Sequence, residues 1–203
     1  MSRRTNLRKD LAAVARAQSG YFTAAQALKV GYAYPTQKYH VERGNWEKVK
    51  RGIYRFPEWP TGRHDDLVCW TLWSHDKAVV SYETALAVYE LGDVDPARVH
   101  LTVPPGFRAR AEGVVLHKGE LSGEDIEKRE GFNITPPLRS LVDVAGGDLE
   151  LDHLARAIHD ALDRGIVTKR QLRAKADEIG PKAALRVERA LSIGVDSKQR
   201  ALP

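Results

Sequence analysis

Between Thr23 and Phe56 the sequence starts or stops an element every few residues, and that punctuation leaves few folds open. Thr23 is followed three residues later by Gln26, a capping box in which each side chain satisfies a backbone N–H of the other at the start of a helix. Gly31 suits the left-handed residue after a helix end, so this helix is short. Pro35 is favoured in the first turn of a second helix, and Gly44-Asn45 ends it. That helix is polar for its length: Thr36, Gln37, Lys38, Tyr39, His40, Glu42 and Arg43 surround a single aliphatic, Val41. So thin an apolar stripe cannot be buried on all sides, and one face is left for another use or simply for solvent. "WEKV" and "IYRF" then form two short β-prone runs around the turn "KRG", where Gly52 permits a tight tip.

Upstream, Leu7, Leu11, Val14 and Ala15 lie at spacings of three and four, one stripe of a further helix that should stop near Gly20. Three helices followed by a hairpin make a winged helix-turn-helix, expected over residues 1–57. The hairpin, its wing, carries Lys48, Lys50, Arg51 and Arg55 against one acid, Glu47. Residues 1–56 hold 12 Lys/Arg and three acids, a net +9. The remainder keeps 20 Lys/Arg and 24 Asp/Glu, a net −4, although the whole chain is only +5. A basic module joined to a mildly acidic one points to a polyanion partner for the first. The polar helix has the side chains that read base edges in a major groove, and the wing has cations for flanking phosphates.

"EWPTGRH", residues 58–64, reads as a linker. A second domain is expected over residues 65–203. "DDLVCWTLWSH" is an apolar helix and "SYETALAVYELG" another, with Ser81 placed as its cap. "RVHLTVP" and "GVVLHKG" are strand-like, and "TPPLRSLVDVAGG" is a turn into a helix. Leu151, Leu154, Ala155, Ile158, Ala161 and Leu162 share one side of a long helix. Thr168 and Gln171 form a second capping box, and Pro181 opens a last helix. The fold class is therefore α/β (α+β): a winged helix-turn-helix followed by a mixed α/β domain ending in helices, with a frayed tail "VDSKQRALP".

Composition, at 42% hydrophobic and 29% charged, is that of a globular protein. No run of about 18 apolar residues is present, so no membrane partner is expected. The first twenty residues lack the apolar core of a secretory signal. The single cysteine, Cys69, sits in an apolar run, which is compatible with a reducing cytoplasm, the expected location.

Catalytic signatures are missing. The seven histidines are scattered, with no H-E-x-x-H and no C-x-x-C, so neither metal nor cofactor is expected. His153 with Asp152 and His159 with Asp160 are adjacent pairs that cannot face each other on a helix. Asp196–Lys198 has the acid-x-lysine order of some nucleases, without an upstream partner. Arg139 and Asp143 stand four apart, as a local ion pair would. Trp46, Tyr54 and Phe56 suit packing beneath the wing. No enzyme is expected.

The stretch "GYFTAAQALKVGYAYPTQKYHVERGNWEKVKRGIYRF", and above all its "RGIY" wing core, resembles the N-terminal winged helix of AbiEi-type antitoxins. These are the antitoxin partners of bacterial abortive-infection, phage-defence toxin–antitoxin pairs. "AVVSYETALAVYELG", "RVHLTVPPGFRAR", "GVVLHKGELSGEDI" and "ITPPLRSLVDVA" are similar to segments of that family's C-terminal domain. The resemblance implies an autoregulating repressor that binds repeats in double-stranded promoter DNA and counteracts a nucleotidyltransferase-like toxin. Carried over by position, the recognition helix is Pro35–Arg43 and the wing Trp46–Phe56. Thr36, Gln37, Lys38 and Arg43 are then the base-reading candidates. Lys48, Lys50, Arg51 and Arg55 are the phosphate contacts, with Arg108, Arg110 and Lys118 as second-domain contacts. The family often has leucines inside the third helix, where this chain has Gln37 and His40. Two alternatives stay open: an antitoxin that blocks its toxin stoichiometrically by direct binding, and a plain ligand-responsive regulator.

Overall fold

The computed structural model describes residues 3–193, so the acid-x-lysine stretch Asp196–Lys198 and the tail lie outside the described residues. The chain divides into two compact units. The first runs to Ala78 and takes in Lys128–Asn133; the second is Val79–Glu127 with the residues from Ile134 onward.

In the first unit the order is α1 (Arg3–Arg16), β1 (Tyr21–Thr23), α2 (Ala24–Val30), α3 (Tyr34–Glu42), β2 (Glu47–Lys50), β3 (Ile53–Arg55) and α4 (Asp65–Trp73). Three strands make one antiparallel sheet in the order β1-β3-β2. Helices α1 to α3 with the β2–β3 hairpin are the expected winged helix-turn-helix. The Thr23/Gln26 capping box is formed in both directions, at 3.1 and 2.8 Å. β1 was not expected. It has only three residues, and Thr23 within it also caps α2, so the helix signal masks the strand. The core beneath the sheet holds Leu11, Ala15, Phe22, Ala27, Tyr32, Trp46 and Phe56, with Tyr54 partly buried against it. Trp46, Tyr54 and Phe56 thus pack under the wing. Gly20 lets the chain turn into β1 at φ +85, and a Cβ there would lie 2.4 Å from the Trp59 ring.

α4 clusters with the first unit, although its sequence position suggested the opening helix of the second domain. It is apolar nearly all round, with Leu67, Val68, Cys69, Trp70 and Leu72 buried, and a helix of that kind needs cover on several sides. It packs against β1 and β3. Burial pushes the Cys69 thiol up to about 11, which leaves it protonated and unreactive at neutral pH.

The elements from Val79 onward are β4 (Val79–Val80), α5 (Tyr82–Tyr89), β5 (Val99–Val103), β6 (Val114–Lys118), a 3-10 turn (Gly123–Asp125), β7 (Glu127–Lys128), β8 (Asn133–Ile134), α6 (Pro137–Gly146), α7 (Leu151–Asp163), α8 (Lys169–Ile179) and α9 (Pro181–Ser192); all belong to the second unit except Lys128 of β7 and Asn133 of β8. Its sheet runs β6-β5-β4-β8-β7, with β4 antiparallel to β5 and β5 parallel to β6. Leu86, Leu141, Leu154, Ile158, Leu172 and Val187 anchor the helical core. Leu154, Ala155, Ile158 and Ala161 of α7 are buried, and Leu151 and Leu162 pack partly buried beside them, as the periodicity predicts. The second capping box, Thr168 with Gln171, is also formed.

Two expectations for this unit change. Ser81 occupies the N-cap position of α5, but its side chain makes no cap bond; its buried hydroxyl instead accepts from Thr102 Oγ1 at 2.8 Å. Arg139 and Asp143 do pair, at 2.8 Å, but as part of a buried cluster. Arg139 Nη1 also reaches Asp125 at 2.8 Å, and Lys175 lies 3.3 Å from the same carboxylate. Burial pushes the Asp143 carboxyl up to about 6 against the pull of Arg139.

Candidate nucleic-acid interface

α3 is held by its inner face. Gln37 is 1% exposed, and its amide donates to Tyr32 O at 2.8 Å and to Ala24 O at 3.0 Å. One helical turn on, the His40 ring stacks on the Trp46 indole at 4.9 Å and 16°. Trp46 in turn meets Phe22 and Tyr32 edge-on at 4.9 and 5.0 Å. Positions 37, 40 and 41 therefore face inward, at spacings of three and four. This explains the thin apolar stripe: a glutamine and a histidine do the anchoring that leucines would otherwise do. It also corrects the assignment of Gln37 as a base reader. Its donor is committed to two backbone carbonyls inside the unit.

The opposite face is open. Pro35, Thr36, Lys38, Tyr39, Glu42 and Arg43 are exposed. Lys38 lies 3.6 Å from Glu42, and the Arg43 guanidinium sits 5.5 Å over the Tyr39 ring. Contacts of this exposed kind hold side chains loosely and are exchanged readily for a polyanion. Tyr34 is 62% exposed and Tyr39 51%, the two large aromatics most open to solvent on the helix. Sequence reasoning did not select them. The available signal was two tyrosines on a helix whose core-facing positions were already too few.

The wing is short. Gly52 takes φ +72 at its tip, and its carbonyl accepts from Ala24 N at 2.8 Å, pinning the tip to the start of α2. Lys48 and Arg51 are exposed. Lys50 is half-buried, its ammonium 3.8 Å over the Trp70 ring of α4, so part of its charge is spent inside the unit. Arg55 is a second correction. It is 8% exposed, and its guanidinium donates to Trp59 O at 3.0 Å, Pro60 O at 2.9 Å and Asp65 Oδ2 at 3.2 Å. Arg55 clamps the segment between β3 and α4 and is not available to a phosphate. The structure thus leaves Thr36, Lys38 and Arg43 exposed on α3, with Thr36 and Lys38 at opposite edges of its open side, and Lys48 and Arg51 exposed on the wing. Arg108 and Arg110 lie exposed on the loop after β5, and Lys118 is exposed at the end of β6, all in the second unit.

A helix with an uncovered polar and cationic face, beside a short cationic wing, completes a winged helix-turn-helix. Residues 9–57 match the family described as "Transcriptional regulator, AbiEi antitoxin", so the resemblance read from the sequence holds over that segment. The solved structures include a relative in shape, the RV2827C protein from Mycobacterium tuberculosis. It is 15% identical, with a TM-score of 0.60 over 91% of this chain and 76% of that one. At that identity the likeness is one of fold. No curated protein matches. Among the described residues no helix is long and apolar enough to cross a membrane.

Proposed function

We propose that this protein is an operator-binding antitoxin that represses its own promoter and counteracts a nucleotidyltransferase-like toxin in the cytoplasm. The observation that carries the reading is the open face of α3, where Thr36, Lys38, Tyr39 and Arg43 stand exposed on a helix fixed from behind by Gln37. Arg43 and Lys38 supply donors for guanine O6 and N7, Thr36 a methyl and hydroxyl, and the tyrosine hydroxyls supply donors to phosphate. Lys48 and Arg51 neutralise phosphates beside the groove. The DNA-reading module is residues 1–57. The antitoxin activity belongs to residues beyond 65, and Arg108, Arg110 and Lys118 are its candidate additional DNA contacts. Neither activity asks the chain to catalyse a reaction.

The deciding experiment is a fluorescence-anisotropy titration of the purified protein on DNA from immediately upstream of its own gene, with unrelated DNA as control, at two salt concentrations. Tight binding that prefers the upstream DNA and weakens with salt is the expected result. Equal affinity for both DNAs would reject operator reading.

A further inference from the structure

In the second unit three side chains from three elements meet at one point. Glu83 comes from the first turn of α5, His100 from β5 and His117 from β6. β5 and β6 run parallel with His100 opposite Val115 and Thr102 opposite His117. Alternation along each strand therefore puts both histidines on the same face of the sheet, as diagonal neighbours. His100 Nδ1 lies 2.5 Å from Glu83 Oε2 and 3.2 Å from His117 Nε2. One nitrogen or oxygen from each of the three residues falls within 4.8 Å of the others, and this is the one such His/Cys/Asp/Glu group among the described residues. The Glu83 and His100 side chains are each 16% exposed, so the cluster is reachable without being loose.

The hydrogen-bond count does not close. Glu83 Oε2 is buried, and its close contact with His100 Nδ1 at 2.5 Å departs from good hydrogen-bond angles. His100 Nδ1 carries at most one hydrogen and faces both the carboxylate and His117 Nε2. If it donates to one, the other is left facing an N–H it must share or oppose. Three lone-pair atoms thus converge on a point where protons cannot serve them all. The local backbone is also unusual. Tyr82, between β4 and Glu83, adopts φ +53, a conformation that bulky residues rarely take. Its ring lies flat on His117, with centroids 3.5 Å apart and planes at 11°. That stacking fixes the orientation of one imidazole, and the same turn delivers the carboxylate beside it.

We propose that Glu83, His100 and His117 form a binding site for a first-row divalent transition-metal ion of the Zn2+ type. Two imidazole nitrogens and one carboxylate oxygen suit such an ion and do not suit Mg2+ or Ca2+, which take mainly oxygen ligands. A tetrahedral ion with bonds of 2.0–2.1 Å holds its ligand atoms about 3.3 Å apart. The His100–His117 pair already has that spacing; Glu83 has to withdraw from His100 by roughly 0.8 Å while reaching the same spacing from His117, and the three ligand atoms start within 4.8 Å of one another. A fourth position is left to water or to a further ligand. The sequence hides the site because its members are 17 residues apart in each interval and reach one another only through strand pairing.

The test uses the full-length, untagged protein after chelator treatment. It is titrated with Co2+ followed by visible absorption, and with Zn2+ followed by calorimetry. The expected result is a single bound ion per chain, with the d–d bands of a low-coordinate Co2+ centre. Both signals should fall at least tenfold in affinity in His117→Gln and in Glu83→Gln. His117 lies on the edge strand β6 and is not one of the buried core residues, so His117→Gln should fold, which circular dichroism checks. Zn2+ should also raise the melting temperature of the wild type and not of either variant. Absence of stoichiometric binding, or binding and thermal protection that persist in both folded variants, would overturn the proposal.

Discussion

Gln37 turns its amide into the core, and two backbone carbonyls depend on it. Replacing it with leucine keeps the volume and removes both donors, so Tyr32 O loses a partner in a buried contact and Ala24 O in a part-buried one. A cost of about 1–3 kcal/mol is expected, read as a lower denaturant midpoint with an unchanged m-value. A surface glutamine would cost almost nothing, which makes the measurement decisive. Asp143 poses a different question at the same scale. Its folded carboxyl sits at about 6 and its ordinary value is 3.8. Between those values the folded chain keeps a proton that the unfolded chain has released. Rising pH therefore removes stability through that window, and the loss is complete above about pH 6. The gap between the two values bounds the effect at about 3 kcal/mol. An asparagine in its place cannot titrate, and its side-chain oxygen still accepts from Arg139. Relative to wild type, Asp143→Asn should thus gain stability as pH rises from about 4 to 7. Parallel melting-temperature profiles for the two proteins would refute the shifted carboxyl.

The wing tests whether exposure or formal charge decides a phosphate contact. Lys48 and Arg51 project freely, whereas Lys50 lies on the Trp70 ring. Alanine at Lys48 or Arg51 should each lower the slope of log K against log salt by about 0.9 and weaken binding on all DNA sequences alike. Alanine at Lys50 should change the slope by less and lower thermal stability more, through the lost packing on Trp70. Equal slopes for all three variants would show that Lys50 leaves its ring when DNA arrives. Arg43→Ala, on the open face of α3, should instead relax preference at one base position, by about 1–3 kcal/mol. The element plan was legible because its signals are local: two capping boxes, Pro35, Gly44 and the turn at Gly52 each act within four residues. Orientation was not legible. Nothing within a turn of Gln37 says that its partners are the carbonyls of residues 24 and 32. Nor does anything beside Arg55 announce Asp65, ten residues on and buried with it. Both were read as DNA contacts because charge and polarity usually mean surface, and at these two positions tertiary partners reverse that.

At the scale of the molecule, the same limit governs the second unit. Glu83, His100 and His117 carry no spacing signature, and Arg139 joins Asp143 to Asp125 only because the 3-10 turn is folded against α6. The acidic remainder of the chain showed its elements in sequence but no motif for its chemistry, because that chemistry is assembled by the fold. The charge asymmetry, by contrast, was visible at once, and it predicts that the two proposed activities separate. Lys48→Ala combined with Arg51→Ala removes two exposed cations and touches neither core. The full-length double variant should therefore lose repression of a reporter driven by its own upstream DNA. It should still rescue growth when co-expressed, from an unrelated promoter, with the toxin proposed for it. Using a foreign promoter is essential, because it uncouples protein level from autoregulation. If rescue falls in step with DNA affinity at equal protein levels, neutralisation runs through DNA binding, and the residues beyond 65 do not carry it alone. If rescue is intact while repression is lost, the basic winged helix and the acidic remainder act on different partners, as their opposite charges suggest.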